Sequence, residues 1–182
     1  MLKLFQRVSM IVVAASLALA AAAHAADDFK ICVDESGDVA IDACTRVIGS
    51  GRAPRAQVIE SYRNRGVEWF IKKEYDKAIA DATAAIKLAK DHSPSYYLRF
   101  RSYEAKGDEE HAKADLEQAI STDFNVEAYY SRGERKEKAG DTKGAIADYK
   151  AALENRKQKY DYITQQGFRD RASEALKRLS AQ

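Results

Sequence analysis

Few side chains in this sequence are equipped for covalent or acid–base chemistry, and their spacing limits what that chemistry is. Two cysteines, Cys32 and Cys44, sit close together near the front of the 182-residue chain. Such a pair could close a disulfide, share a metal or cycle as a redox centre. A metal would need further ligands, and neither His92 nor His111 lies near the pair. A thioredoxin-like centre would want Cys-x-x-Cys, which is absent. A structural disulfide is the expected use, and closing so short a loop stabilises by roughly 3 kcal/mol. His92 and His111 fall near helix ends and outside metal-ligand spacings, and the third histidine, His24, lies in the leader segment, residues 1–25. There is no Gly-rich phosphate loop, no Gly-x-Ser-x-Gly and no HExxH. The Asp and Glu residues are spread over helix faces. The one catalytic alternative is cleavage of glycan or peptidoglycan by paired carboxylates. The expectation is a protein that is not an enzyme and needs no metal and no cofactor.

A second constellation is electrostatic, and it recurs. Arg65, Arg99 and Arg132 are each followed 16 residues later by Asp81, Asp115 and Asp148. Placed on two paired helices, each Arg would meet its own Asp, giving three equivalent ion pairs. The alternative is a ladder of arginines open to a ligand. The joint recurrence of both partners favours the pairs.

The elements that must position these residues repeat as well. Tyr62-x-x-Arg65-Gly66-x-x-Trp69 is followed by Ala78-x-x-x-Ala82-x-x-Ala85. Moving on 34 residues gives Tyr96, Arg99, Phe100 and Tyr103, then Ala112, Leu116 and Ala119. A further 33 gives Tyr129, Arg132, Gly133 and Lys136, then Ala145, Tyr149 and Ala152. A fixed period near this length marks an array of helical units. The skeleton resembles the tetratricopeptide repeat over about residues 56–156. It departs from the family in carrying Arg where Leu precedes the Gly. It also has Lys90, Phe124 and Lys157 in place of the terminal Pro. The resemblance implies an all-α fold, a right-handed superhelical array of helix hairpins.

Helix signals place the units. Gly37-Asp38, Gly107-Asp108 and Gly140-Asp141 recur at helix-to-helix corners, Gly turning the chain and Asp capping the next helix. Lys73-Glu74 takes that corner in the first unit. Expected helices are Arg55–Lys72 with Tyr75–Lys90, a helix opened by a Ser93 cap and Pro94 with Asp108–Ser121, and one capped by Asn125 with Asp141–Arg156. No segment alternates as a strand would. Val39–Ile48 reads as the second half of an incomplete unit, pinned by Cys32–Cys44. Phe100 stands where the other units have Gly, so that unit is expected to splay or repack. From Phe168 to Leu179 runs one amphipathic helix, beginning after a joint at Gln165–Gly167 or as part of a longer helix from near Lys159. It reads as the polar-backed cap of an open array end, or alternatively as a docking helix. The expected organisation is 1–25 leader, 26–55 half repeat with disulfide, 56–157 three repeats, and 158–182 capping helix.

The leader has the form of a secretory signal. Lys3 and Arg7 precede an uncharged run from Val8 to Ala23, and Ala23-His24-Ala25 is a small-x-small cleavage site. That run of 16 residues is short of the ~20 a membrane span needs. An exported, periplasmic or secreted protein with no stable membrane insertion after cleavage is expected. The leader holds two of the 30 Lys and Arg and none of the 28 Asp and Glu, so the formal +2 falls to zero on its removal. A chain with no excess positive charge has no electrostatic footprint for nucleic acid.

In the tetratricopeptide family the first helices of the hairpins line a concave groove that holds a peptide or a helix of another protein. Carried over by register, that groove would present Arg63, Asn64, Val67 and Phe70, then Tyr97, Leu98 and Arg101, then Tyr130, Ser131 and Glu134. Aromatics beside Arg are the composition of binding hot spots. Phe70, Tyr97 and Leu98 could equally be core between hairpins. A subclass of the family clamps the terminal carboxylate of chaperone tails. Arg63 matches one clamp position, but Val67, Leu98, Glu127 and Ser131 depart from the others, which argues against that ligand. The expected partner is a protein or peptide of unspecified identity.

Overall fold

A computed structural model describes residues 27–122, 126–154 and 164–181. The leader, the cap expected at Asn125 and the segment around Lys157 and Lys159 lie outside the described residues. Among the described residues the regular structure is helical throughout. Residues 27–34 form α1, followed by α2 (Gly37–Gly49), α3 (Arg55–Ile71), α4 (Tyr75–Leu88) and α5 (Ser93–Lys106). Then come α6 (Glu109–Thr122), α7 (Val126–Lys138), α8 (Thr142–Glu154) and α9 (Thr164–Ser180). Three hairpins, α3–α4, α5–α6 and α7–α8, pack side by side as an all-α solenoid. The short α1–α2 unit flanks one end and α9 the other.

The corners share one backbone device. Gly37, Lys73, Gly107 and Gly140 have φ of 67°, 63°, 76° and 81°, all left-handed. Only at Lys73 does a residue with a β-carbon take that conformation. The caps after the corners differ. Asp108 accepts the backbone N–H of His111, and Asp141 accepts that of Gly144. Asp38 instead pairs with Lys72, the residue after α3, at 2.7 Å. Ser93 does not cap α5, because it is the first helical residue and its hydroxyl donates to the Ala119 carbonyl.

Packing within and between hairpins is a trade of volumes. At Gly66 a β-carbon would come 2.8 Å from Leu98 Cδ2, so the absent side chain makes room for Leu98 of the next hairpin. At Gly133 it would come 2.7 Å from the ring of Tyr149, which is buried in the same hairpin. Phe100, at the equivalent place, is itself fully buried among Ala112, Leu116, Ala119 and Ala128. It does not splay its hairpin: α5 and α6 pack as extensively as the other pairs. The register counterpart of Leu98 in the next hairpin is the small Ser131. Bulk moved onto one helix is removed from its neighbour.

The junction between the second and third hairpins is the sparsest in the array. Ion pairs cross it: Arg132 reaches Glu117 at 2.6 Å, and Arg135 reaches Glu104 at 3.1 Å and also Glu109. At the front, α1 and α2 are joined by the Cys32–Cys44 disulfide, with both cysteines buried. The expected disulfide is present. At the back, α9 lays Ala172, Ala175 and Leu179 against α7 and α8. Gln165–Gly167 are part of this helix and make no joint before it. Its other face is polar and exposed, and Arg178 pairs with Glu137 of α7.

Candidate functional site

The arginines of the recurring pairs sit on the first helix of each hairpin and the aspartates on the second. Arg65 grips Asp81 through two bonds of 2.8 and 2.7 Å. Arg99 holds Asp115 at 2.7 and 2.8 Å, and Arg132 holds Asp148 at 2.9 and 2.8 Å. Each aspartate side chain is under a tenth exposed, at 8%, 7% and 5%. The third nitrogen of each guanidinium reaches back to the preceding unit: Arg65 to Thr45, Arg99 to Thr83, Arg132 to Glu117. Each also lies over the Tyr three residues before it, Tyr62, Tyr96 or Tyr129, at 5.5–5.7 Å. With every nitrogen engaged, these arginines tie one hairpin to the one before it. The carboxylate bonds raise all three arginine pKa values further. Burial opposes ionisation of Asp148, but hydrogen bonds from Arg132 and Lys136 outweigh it and hold its carboxyl below the ordinary range.

The residues carried over as groove lining divide into two sets. Arg63, Asn64, Val67 and Phe70 on α3 are half-buried, with Arg63 donating to Asn64 Oδ1 at 2.7 Å. Arg101 on α5 stands over the Phe70 ring at 5.6 Å. Tyr97 on the same helix is half-buried and meets the Ser131 hydroxyl at 3.1 Å; burial raises its pKa. Glu134 on α7 accepts the Tyr130 hydroxyl at 2.9 Å. Leu98 and Ser131, by contrast, do not face open space. Leu98 fills the gap over Gly66, and Ser131 lies beneath Tyr97. Tyr130 is 7% exposed, its ring held between those of Tyr149 and Phe168.

Two residues that the sequence reading did not assign to this face join it from α9. Phe168 packs edge-on against Tyr130 at 5.5 Å and Tyr97 at 6.4 Å. Arg171 stands over Phe168 at 4.1 Å and over Tyr130 at 5.0 Å. The signal was in the period: one more step from Glu134 reaches Gly167 and Phe168. An aromatic run therefore extends from Tyr97 through Phe168 to Tyr130 with Arg171 stacked on it, while Arg101 bonds Tyr97 and stands over Phe70. Among the described residues no group of three or more His, Cys, Asp or Glu side chains is placed to hold a metal ion. No described helix is long and apolar enough to cross a membrane.

Residues 93–125, comprising α5, α6 and the start of the next junction, match the family model described as tetratricopeptide repeat. That segment carries one tetratricopeptide repeat. Two solved structures agree in fold. A crystal structure of MamA protein aligns with TM-score 0.51 at 20% identity, covering 78% of this chain and 80% of that one. A second, of MamA, aligns with TM-score 0.53 at 20% identity, covering 79% and 86%. At that identity the likeness is one of architecture. No curated protein matches the sequence. Tetratricopeptide repeats bind other proteins, and the matched hairpin is one unit of that kind.

Proposed function

We propose that this scaffold works in the cell envelope after export, holding a peptide or helix of a partner protein along the face made by the first helices of its hairpins. The observation that carries the reading is the run of rings and guanidiniums on that face. Phe70, Arg101 and Tyr97 are only half-buried there, although each already makes intramolecular contacts. Rigid aromatic side chains beside Arg supply contact area at low entropic cost, which is what binding surfaces select. The alternative of docking through the outer face of the last helix alone has less to offer, because that face is polar and Ala172, Ala175 and Leu179 are turned inward. A catalytic role would need an activated group in a pocket. The three recurrent aspartates are instead neutralised by their arginines, and we assign the chain no reaction.

Crosslinking the exported protein in its envelope fraction and identifying what co-purifies tests the reading. Replacing Phe70 and Tyr97 by Ala should abolish capture of the partner. Capture that survives those changes but is lost on truncation after Gly167 would move the contact to α9. Protein retained entirely in the cytoplasm would reject the envelope assignment.

A further inference from the structure

The face just described contains a guanidinium unlike the others. Arg65, Arg99 and Arg132 are saturated by carboxylates and by the neighbouring unit. Arg171 is exposed and stacked on two rings, and among the described residues no carboxylate pairs with it. Even Glu174, three residues along the same helix, does not. Asp170 accepts instead from Gln166, and Glu134 across the face is drawn to the Tyr130 hydroxyl. The Arg171 Nε is spent on the Gly167 carbonyl at 3.2 Å, which fixes the plane of the group. Its two terminal nitrogens remain as a fork. Such a fork, held flat over aromatic rings, matches a carboxylate through two parallel bonds. Arg101, on the Phe70 side, is more engaged: it bonds Tyr97 and its Nε pairs with Glu104 at 3.5 Å, but it is still half-exposed over the Phe70 ring and adds positive charge there.

We propose that α9 is part of the binding face, and that Arg171 with Arg101 recognises carboxylate side chains of an acidic partner segment whose apolar residues lie on Tyr97 and Phe168. The terminal helix thus completes the site as well as closing the array. This inference rests on the groove reading above and names the chemistry of its occupant. It differs from capture of a chain terminus, because the recognised groups are side-chain carboxylates and the fork comes from the last helix.

The test uses the full exported chain and two fluorescein-labelled nonapeptides, one alternating glutamate with leucine and one alternating glutamine with leucine. Fluorescence anisotropy should give binding of the glutamate peptide at least tenfold tighter than that of the glutamine peptide, weakening as salt is raised. Arg171→Met should remove about tenfold from the glutamate peptide and leave the glutamine peptide unchanged. Arg171→Lys should fall between, since it keeps the charge and loses the fork. Arg171 is exposed, so circular dichroism should report unchanged helicity for both variants. Equal affinities for the two peptides, or an Arg171→Met variant that binds glutamate as well as the parent, would overturn the acidic assignment. The groove reading would still stand if Phe70→Ala abolished binding of both peptides. No binding of either peptide at millimolar concentration overturns the acidic assignment as well, and leaves the groove reading to the co-purification experiment.

Discussion

The ring of Tyr149 lies so close over Gly133 that a β-carbon added there would sit 2.7 Å from it. Tyr149 is 1% exposed and its hydroxyl donates to Glu137, so the ring has little freedom to retreat. Gly133→Ala should therefore lower stability by about 1–3 kcal/mol in urea unfolding. Adding Tyr149→Leu should recover part of that loss, because the smaller side chain restores the clearance. If Gly133→Ala alone leaves the midpoint unchanged, α7 and α8 have room to part and the close approach is not a constraint.

The three ion pairs predict unequal costs. Asp115 is held by Arg99, whereas Asp148 is held by Arg132 and also by Lys136 at 2.8 Å. Arg99→Met leaves a buried carboxylate uncompensated and should cost about 3 kcal/mol of stability. Arg132→Met should cost less, since Lys136 remains. Converting Arg99 and Asp115 together to Met and Leu should be far milder than the single change. Thermal unfolding of the four proteins decides this. Equal midpoints for parent and Arg99→Met would remove the pair from the stabilising contacts.

Two groups set opposite pH limits. Asp148 titrates below its ordinary 3.8 in the folded chain. Its share of stability is present above about pH 4 and is lost as pH falls through the lower folded value. An Asp148→Asn protein should be less stable at neutral pH and show a shallower loss in acid. Tyr130 is pushed from 10.0 to about 12 by burial and then by its bond to Glu134. Its contribution is present below about pH 10 and is lost as pH rises through about 12. Ultraviolet titration of the parent against Tyr130→Phe should find one phenol ionising late. A phenol that ionises near 10 would contradict the buried bond.

Lys73 holds a left-handed corner with φ of 63° where the other three corners have Gly. Lys73→Gly relieves that conformation at the cost of a looser unfolded chain. It should raise stability by about 0.5–1 kcal/mol, measured as a higher urea midpoint at unchanged slope. A lower midpoint would place the favourable contacts of the Lys73 side chain above the backbone strain.

Much of the architecture was legible from spacing alone. The alanines of each second helix, the Gly–Asp corners and the amphipathic run from Phe168 to Leu179 repeat with a helical period, and a period survives without tertiary information. The lining of the face was less legible. Leu98, Ser131 and Tyr130 occupy equivalent outward registers with Tyr97 and Arg101. Whether such a residue is open depends on the volume opposite it, and that volume was redistributed among Gly66, Phe100 and Gly133. A single sequence lists those substitutions without saying which neighbour absorbs each one. Phe168 and Arg171 were not placed on this face because their helix was read as a cap or as a separate docking helix, although the period runs on into it.

The sparse junction between α6 and α7 has a mechanical consequence. Side chains interlocked by shape resist bending in every direction, whereas charged tips on long arms can swivel while keeping their attraction. Tension applied across the array would be taken up first at Arg132–Glu117 and Arg135–Glu104, with the hairpins on either side travelling as stiff blocks. Salt would weaken those exposed ion pairs and leave the buried contact of Ala128 with Phe100 to hold the joint, so curvature becomes a property that the surrounding solution can tune.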